Sequence, residues 1–240
     1  MERDVDRWPA GESHGWLSWR LGPIELEPVV HVTTDLKVLY FGTPVVLIGS
    51  RNEDGSANLA PMSSAWWLGQ RCMLGMGNRS KTVANLLRER ECVLNLVSSD
   101  MAGAVDRLAP LTGATPIPER KAAMGYRFEA DKFGAAGLTP QASEVVKAPR
   151  VEECPIQLEC LVESVHAFGE TASAIEVRVV RAHVEERLVI PGTDHVDPVG
   201  WDPLIMKFCE FFGGGSQVHP SALAEAWQMP HRRSGRAPVG

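Results

Sequence analysis

Apolar and polar positions along residues 1 to about 35 follow neither a helical nor a strand period; tryptophans are mixed there with Gly, Pro and charge. Trp8, Trp16 and Trp19 would sit poorly in water, so residues 1–35 are expected to form an extension packed on a domain that begins near residue 36. A β-branched run from Thr43 to Ile48 opens that domain, a turn holding Asp54-Gly55 follows, and a second run comes after it. That order predicts a hairpin. "RCMLGMG" (71–77) and "CVLNLV" (92–97) read as further strands on either side of one helix. Between Met101 and Pro149 the chain breaks into loops and short helices, of which "AGAVDRLA" and "PERKAAMGY" are the best helical pieces. Ile156, Leu158, Cys160 and Val162 then alternate with polar residues, and "SAIEVRVVRAHVEERLVI" after Gly169 completes a second antiparallel pair. Residues 191–204 are turn-rich, and 211–240 read as a tail with a short helix near "HPSALAEAWQM". Steady βαβ alternation is missing. The expected fold is mainly β (α+β), an antiparallel barrel with a few flanking helices.

The helix between those strands, "NRSKTVANLLRER" (78–90), carries an electrostatic oddity. Val83, Leu86 and Leu87 make one face, Lys81, Asn85 and Arg88 another, and Ser80 is the natural N-cap with Asn78 as a second candidate. A helix start is partially positive and favours acidic residues, yet Arg79 and Lys81 stand there. Two readings are open. Both side chains can swing into water, where the penalty is only about 0.3–1 kcal/mol. Alternatively an anion completes the site, gripped by bare N–H groups, the hydroxyls of Ser80 and Thr82 and the two cations.

Composition narrows the class. The 240 residues carry a formal net charge of −6, which argues against a broad nucleic-acid surface and leaves Arg79 and Lys81 as a local feature. Five cysteines, odd in number and without paired spacing, suggest reduced and mostly buried thiols in the cytoplasm. No apolar run approaches a membrane span, and the charged, proline-broken N-terminus does not read as a signal peptide.

Candidate chemistry concentrates in two stretches. "GMGNRS" (75–80) falls one glycine short of a dinucleotide fingerprint, and no βαβ unit surrounds it, so a Rossmann site is rejected. Gly75 and Gly77 still allow close backbone approach to a phosphate at the helix start. In "NLAPMSSAWW" (58–67) a strand ends at Ala60-Pro61, where proline withholds a ladder donor. Asn58, Ser63 and Ser64 could then face a planar heterocycle with Trp66 and Trp67 as apolar walls; the plain alternative is serines capping a turn. The seven histidines show no metal-ligand spacing, no nucleophile elbow is present, and no catalytic side chain is assigned. Gly213-Gly214-Gly215 reads either as a hinge over a site or as a linker.

Taken together, "TPVVLIGSRNEDGSANLAPMSSAWW", "GNRSKTVANLLRERECVLNLV", "DKFGAAGLTPQASEVVKAPRVEECPIQLEC" and "HVDPVGWDPLI" resemble the flavin reductase-like family, the FMN-binding split barrels. The likeness runs over roughly residues 40 to 210, with the blocks in the family's order. It implies an antiparallel split β-barrel domain (36–210), a homodimer, and FMN, or FAD, at the dimer interface. By position, the strand-end motif falls on Asn58, Ala60, Pro61, Met62, Ser63 and Ser64, against the isoalloxazine. The phosphate motif falls on Arg79, Lys81 and Thr82, with Gly77, Asn78, Ser80 and Asn85 adjacent.

The resemblance implies an NAD(P)H-dependent flavin reductase that passes hydride from nicotinamide to flavin N5. The cofactor carries the redox chemistry, so no acid–base residue is obligatory. A flavin-binding carrier that never meets nicotinamide is the alternative, and a partner monooxygenase is among the electron acceptors to expect. The tryptophan-rich N-terminus and the "FFGGGSQVHPSALAEAW" tail extend beyond the family core and could narrow access to the flavin.

Overall fold

The computed structural model describes residues 29–219 together with Ser221, Ala224, Met229 and Pro230. The expected packing of Trp8, Trp16 and Trp19 lies outside these residues, as does most of the expected tail helix. Residues 29–37 carry no helix or strand. From there the chain runs through β1 (Phe41–Pro44), β2 (Val46–Arg51), β3 (Ala57–Met62), β4 (Ala65–Leu68), β5 (Arg71–Gly77), α1 (Lys81–Glu89) and β6 (Glu91–Leu96). The mixed segment holds α2 (Ala102–Leu108), β7 (Leu111–Thr112), α3 (Glu119–Ala123), β8 (Arg127–Phe128), α4 (Lys132–Ala136), β9 (Pro140–Gln141) and β10 (Arg150–Val151). Two long strands, β11 (Ile156–Phe168) and β12 (Ala172–Val184), precede β13 (Ile205–Lys207) and β14 (Glu210–Phe212).

The hairpin of β2 and β3 forms where the Asp-Gly turn predicts it. Asp54 Oδ1 accepts from the backbone N of Ser56 at 2.9 Å and from its hydroxyl at 2.6 Å, and Gly55 takes a φ of +84° that other residues resist. Seven strands make one sheet in the order β3-β2-β6-β11-β12-β5-β4. Its two edges, β3 and β4, are consecutive in the chain and joined only by Ser63 and Ser64. A flat sheet would hold those edges six strand spacings apart, roughly 28 Å at about 4.7 Å each. The sheet must therefore curl until its edges meet without pairing, and that is an antiparallel split barrel. Irregularities at Glu159/Cys160 and Val162/Ser164 bend the long β11–β12 pair.

Alternation along β2 separates two cores. Val46 and Ile48 point into the barrel with Leu74, Leu94, Ile175 and Val177, and Val83 and Leu86 of α1 complete that interior. Leu47 points the other way, to Leu59, Val105, Leu108 and Phe133 under α2 and α4. Cys72, Cys92 and Cys160 lie within the first core and Cys154 within the second, all as free thiols, while Cys209 is exposed.

Three local expectations are corrected. Pairing continues through Pro61 to Met62, opposite Leu47 and Val46, because β3 is an edge strand and needs a ladder on one side only. On α1, Leu87 is exposed at 47% and Asn85 is buried instead, since polar partners wait for it on β2. Phe211 and Phe212, which start the expected tail, belong with Glu210 to strand β14, paired with β13, which in turn pairs with β1.

Candidate functional site

Ser80, not Asn78, caps α1: its φ and ψ are −82° and 146°, and its hydroxyl accepts from Val83 N at 3.1 Å. Asn78 is engaged elsewhere, accepting from Ser173 Oγ at 2.6 Å. The first turn contains no acidic residue. The N–H groups of Lys81 and Thr82 have no acceptor within the helix. Arg79 is exposed and Lys81 half-buried, and neither forms an ion pair among the described residues. A methyl group at Gly77 would meet nothing within 4 Å, so the backbone before the helix is open to close approach.

Behind this helix start lies a buried polar network. Asn58 Nδ2 donates to Ser50 Oγ at 3.0 Å and to Thr82 Oγ1 at 3.2 Å, and Asn58 Oδ1 accepts from Lys132 Nζ at 2.9 Å. Asn85 Nδ2 donates to the same Ser50 Oγ at 3.2 Å and to Asn52 Oδ1 at 2.9 Å, while Arg88 donates to Asn85 Oδ1. Asn58, Thr82 and Asn85, expected from the resemblance to touch a cofactor, thus tie β2, β3, α1 and α4 to one another. Lys132, at 5% exposure, is the residue sequence reasoning missed. Burial, and then the charge of Lys121, push its ammonium down to about 8. The available signal was a lysine directly after Asp131, which caps α4 by accepting from Gly134 N at 2.9 Å.

The junction between the barrel edges holds the other expected residues. Ala60, Pro61, Met62 and Ser64 are half-buried and Ser63 is buried. Ser64 O accepts from Gly75 N at 2.8 Å, and Tyr40 Oη and Ser64 Oγ are 3.4 Å apart. The two tryptophans separate as strand geometry dictates: Trp67 packs on the barrel core and Trp66 faces outward at 57% exposure.

A hollow of about 290 Å³ opens beside the helix start, lined by Asn58, Lys81, Gly113, Thr115 and Phe128 with the β2–β3 turn at its rim. A larger one, about 640 Å³, lies along Trp201, Ile205, Lys207 and Phe212, with Gly213 and Gly215 of the glycine run on its wall, and takes in none of the residues expected to bind a cofactor. Of the expected cofactor-binding residues the smaller holds Asn58 and Lys81, and the carboxylates Glu53, Asp54 and Glu129 also line it. Among the described residues no cluster of His, Cys, Asp or Glu could hold a metal ion, and no helix is long and apolar enough to cross a membrane.

The family described as "Flavin reductase like domain" matches residues 38–207. "Uncharacterized protein YdfE" of Bacillus subtilis (strain 168) is 38% identical over 191 residues, covering 79% of this chain and 92% of the relative. Among solved structures, flavoredoxin of Desulfovibrio vulgaris (Miyazaki F) has a TM-score of 0.67 at 18% identity, with 82% of this chain and all of that one covered (100%). Nitrilotriacetate monooxygenase component B from Bacillus cereus has a TM-score of 0.62 at 23% identity, over 75% of this chain and 88% of its own. At such identities these two likenesses speak for the fold alone.

Proposed function

The chain belongs to the flavin reductase-like family, and on that footing we propose that it is an FMN-binding oxidoreductase of the NAD(P)H:flavin reductase type. The observation that carries the reading is the pair Arg79 and Lys81, neither of them in an ion pair among the described residues, at a helix start that lacks any acidic residue. A phosphate there offsets both charges and takes the unsatisfied N–H groups. FMN carries that phosphate; FAD remains the larger alternative. Ala60, Pro61, Met62, Ser63 and Ser64 line the barrel seam, where a flat ring needs backbone polar groups and shallow side chains. When bound, flavin supplies hydride acceptance at N5. The chain's own part is to hold the phosphate with Arg79, Lys81 and Ser80 and to orient the ring along the seam. No side chain is assigned to proton transfer.

Titration of the apoprotein with FMN and with riboflavin tests the site, and equal affinities would remove the phosphate from it. Anaerobic mixing of the holoprotein with NADH and NADPH tests the reaction: bleaching of the flavin band supports a reductase. No bleaching favours the second reading, a flavin-bearing electron carrier, which the fold likeness to a flavoredoxin motivates. The likeness to a monooxygenase component motivates a partner monooxygenase as acceptor. We further propose a cytoplasmic homodimer. Trp66 and Leu68 stand exposed at 57% and 74% on the edge strand β4, beside the seam, and a symmetric partner would cover them. Light scattering of the holoprotein reads this directly, a monomer counting against it.

A further inference from the structure

The polar network behind α1 has a direction, and that direction originates at Lys132. An ammonium donates and cannot accept, so the atom of Asn58 facing Lys132 Nζ must be the carbonyl oxygen. The orientation of this amide, often ambiguous, is therefore forced. Asn58 Nδ2 is thereby turned to Ser50 Oγ and Thr82 Oγ1, and both hydroxyl oxygens act as acceptors. From the far side the Arg88 guanidinium forces Asn85 in the same way, and Asn85 Nδ2 gives Ser50 Oγ its second donor. Having accepted, the hydroxyls keep their own protons to give. Thr82 is the second residue of α1, so its proton becomes available in the first turn, beside the unsatisfied N–H groups.

Lys132 itself is short of a counter-charge. Its one hydrogen-bond partner among the described residues is the neutral Asn58, and no carboxylate there lies within ion-pair distance. The charged groups on the elements around it do not compensate. Lys121 on α3 repels it, and the stem of Lys81 on α1 runs past Gly113 close by Asn58. On α2, Arg107 is bound to Ala136 O. Asp131 is occupied as a cap, and Glu129 accepts from Asp131 N. Buried positive charge of this kind calls for an anion.

We propose that Lys132 is a positioning residue for the phosphoryl group of the flavin nucleotide: it locks Asn58 so that Thr82 presents a hydrogen-bond donor to that group, and it adds buried positive charge behind it. The inference rests on the phosphate reading of the α1 start. Two consequences follow. Affinity for FMN, but not for riboflavin, depends on Lys132 being protonated, and so declines as pH rises through about 8. FMN binding in turn holds the proton on Lys132 to higher pH.

The test is a titration of purified wild type, Lys132→Met, Thr82→Val and the double variant with FMN and with riboflavin between pH 6.5 and about 9.5, with a thermal melt of each apoprotein. Each single variant should lose roughly tenfold in FMN affinity at pH 7 and little in riboflavin affinity. The double variant should be no worse than Lys132→Met alone, because that change already cuts the relay through Thr82. Wild type should weaken toward FMN above pH 8 while Lys132→Met stays flat. If Lys132→Met does not fold, the nearly isosteric Thr82→Val and the wild-type profile still decide. Additive losses, an equal loss of both ligands, or an unchanged FMN preference in both single variants overturns the relay. Equal FMN and riboflavin affinities in wild type would instead bring down the phosphate reading, and the relay with it.

Discussion

Glu159 Oε1 lies 2.7 Å from His183 Nε2, and the Glu159 side chain is fully buried between β11 and the loop that crosses it. The same carboxylate accepts from the backbone N–H groups of Glu144, Val145 and Val146 at 2.9, 2.6 and 3.0 Å. Burial by itself would raise its pKa. The hydrogen bonds from Glu144, His183, Val146 and Val145 outweigh that and hold it at about 2.

This clamp predicts a pH-dependent loss of stability. The folded-state pKa is depressed from 4.5, so the stabilisation is complete above about pH 4.5 and is lost as pH falls toward 2. Glu159→Gln puts an amide donor among backbone donors and should cost about 3–5 kcal/mol at neutral pH. Denaturant melts of both proteins check this. The gap between them should narrow through that acid window, and a constant gap would show that the carboxylate's charge is not what holds the loop.

Arg79→Ala and Lys81→Ala should each weaken FMN binding about ten- to a hundredfold, since a lost charged hydrogen bond costs about 1.5–3 kcal/mol. The loss should be greatest at low salt. Fluorescence titration measures it. Parent-like affinity in the double variant would mean that both side chains are simply solvated.

Two glycines separate folding from binding. A methyl group at Gly49 would fall inside the van der Waals shell of the Pro149 carbonyl oxygen, so Gly49→Ala should destabilise the chain by about 1–3 kcal/mol. At Gly77 the same methyl group meets nothing. Gly77→Ala should melt like the parent, within about 0.5 kcal/mol, yet bind FMN more weakly if the phosphate rests against that backbone.

Thiol reactivity should follow burial. Burial first, then the neighbouring Cys160, pushes Cys72 up to about 12, and burial likewise raises Cys154. Native protein should label once per chain with a thiol reagent, at the exposed Cys209, and at all five cysteines after denaturation. Mass spectrometry counts the adducts. Fast native labelling at Cys92 or Cys160 would contradict the closed barrel core.

What could be read from the chain divides by range. The β2–β3 hairpin and the Ser80 cap are local: alternation, an Asp-Gly turn and a hydroxyl before an apolar run suffice to place them. Asn85 and Leu87 exchange their expected places because only the fold brings Ser50 and Asn52 to α1. Lys132 meets Asn58 across 74 positions, and nothing near either residue announces the other. The short strand β13 likewise owes its form to a neighbour, β1, more than 160 residues earlier in the chain, and β14 pairs on β13 in turn. The candidate cations stood out for the opposite reason. They violate a local rule, and local rules are visible in sequence.

The Ser63-Ser64 link has a consequence for how this protein is made. Strands adjacent in sequence usually pair, but β3 and β4 do not: the sheet connects them only through β2, β6, β11, β12 and β5, so the barrel is complete only once each of those has taken its place. Barrel closure is therefore a late event in folding, governed by contacts distant in sequence. The two edges stay unpaired, one of them carrying Trp66 and Leu68, and open apolar edges that nothing holds together recruit other chains. A circular permutant with new termini between Ser63 and Ser64 would keep every ladder of the sheet while losing the tie between its edges. Such a chain should refold poorly as its concentration rises, and aggregate where the parent stays in solution.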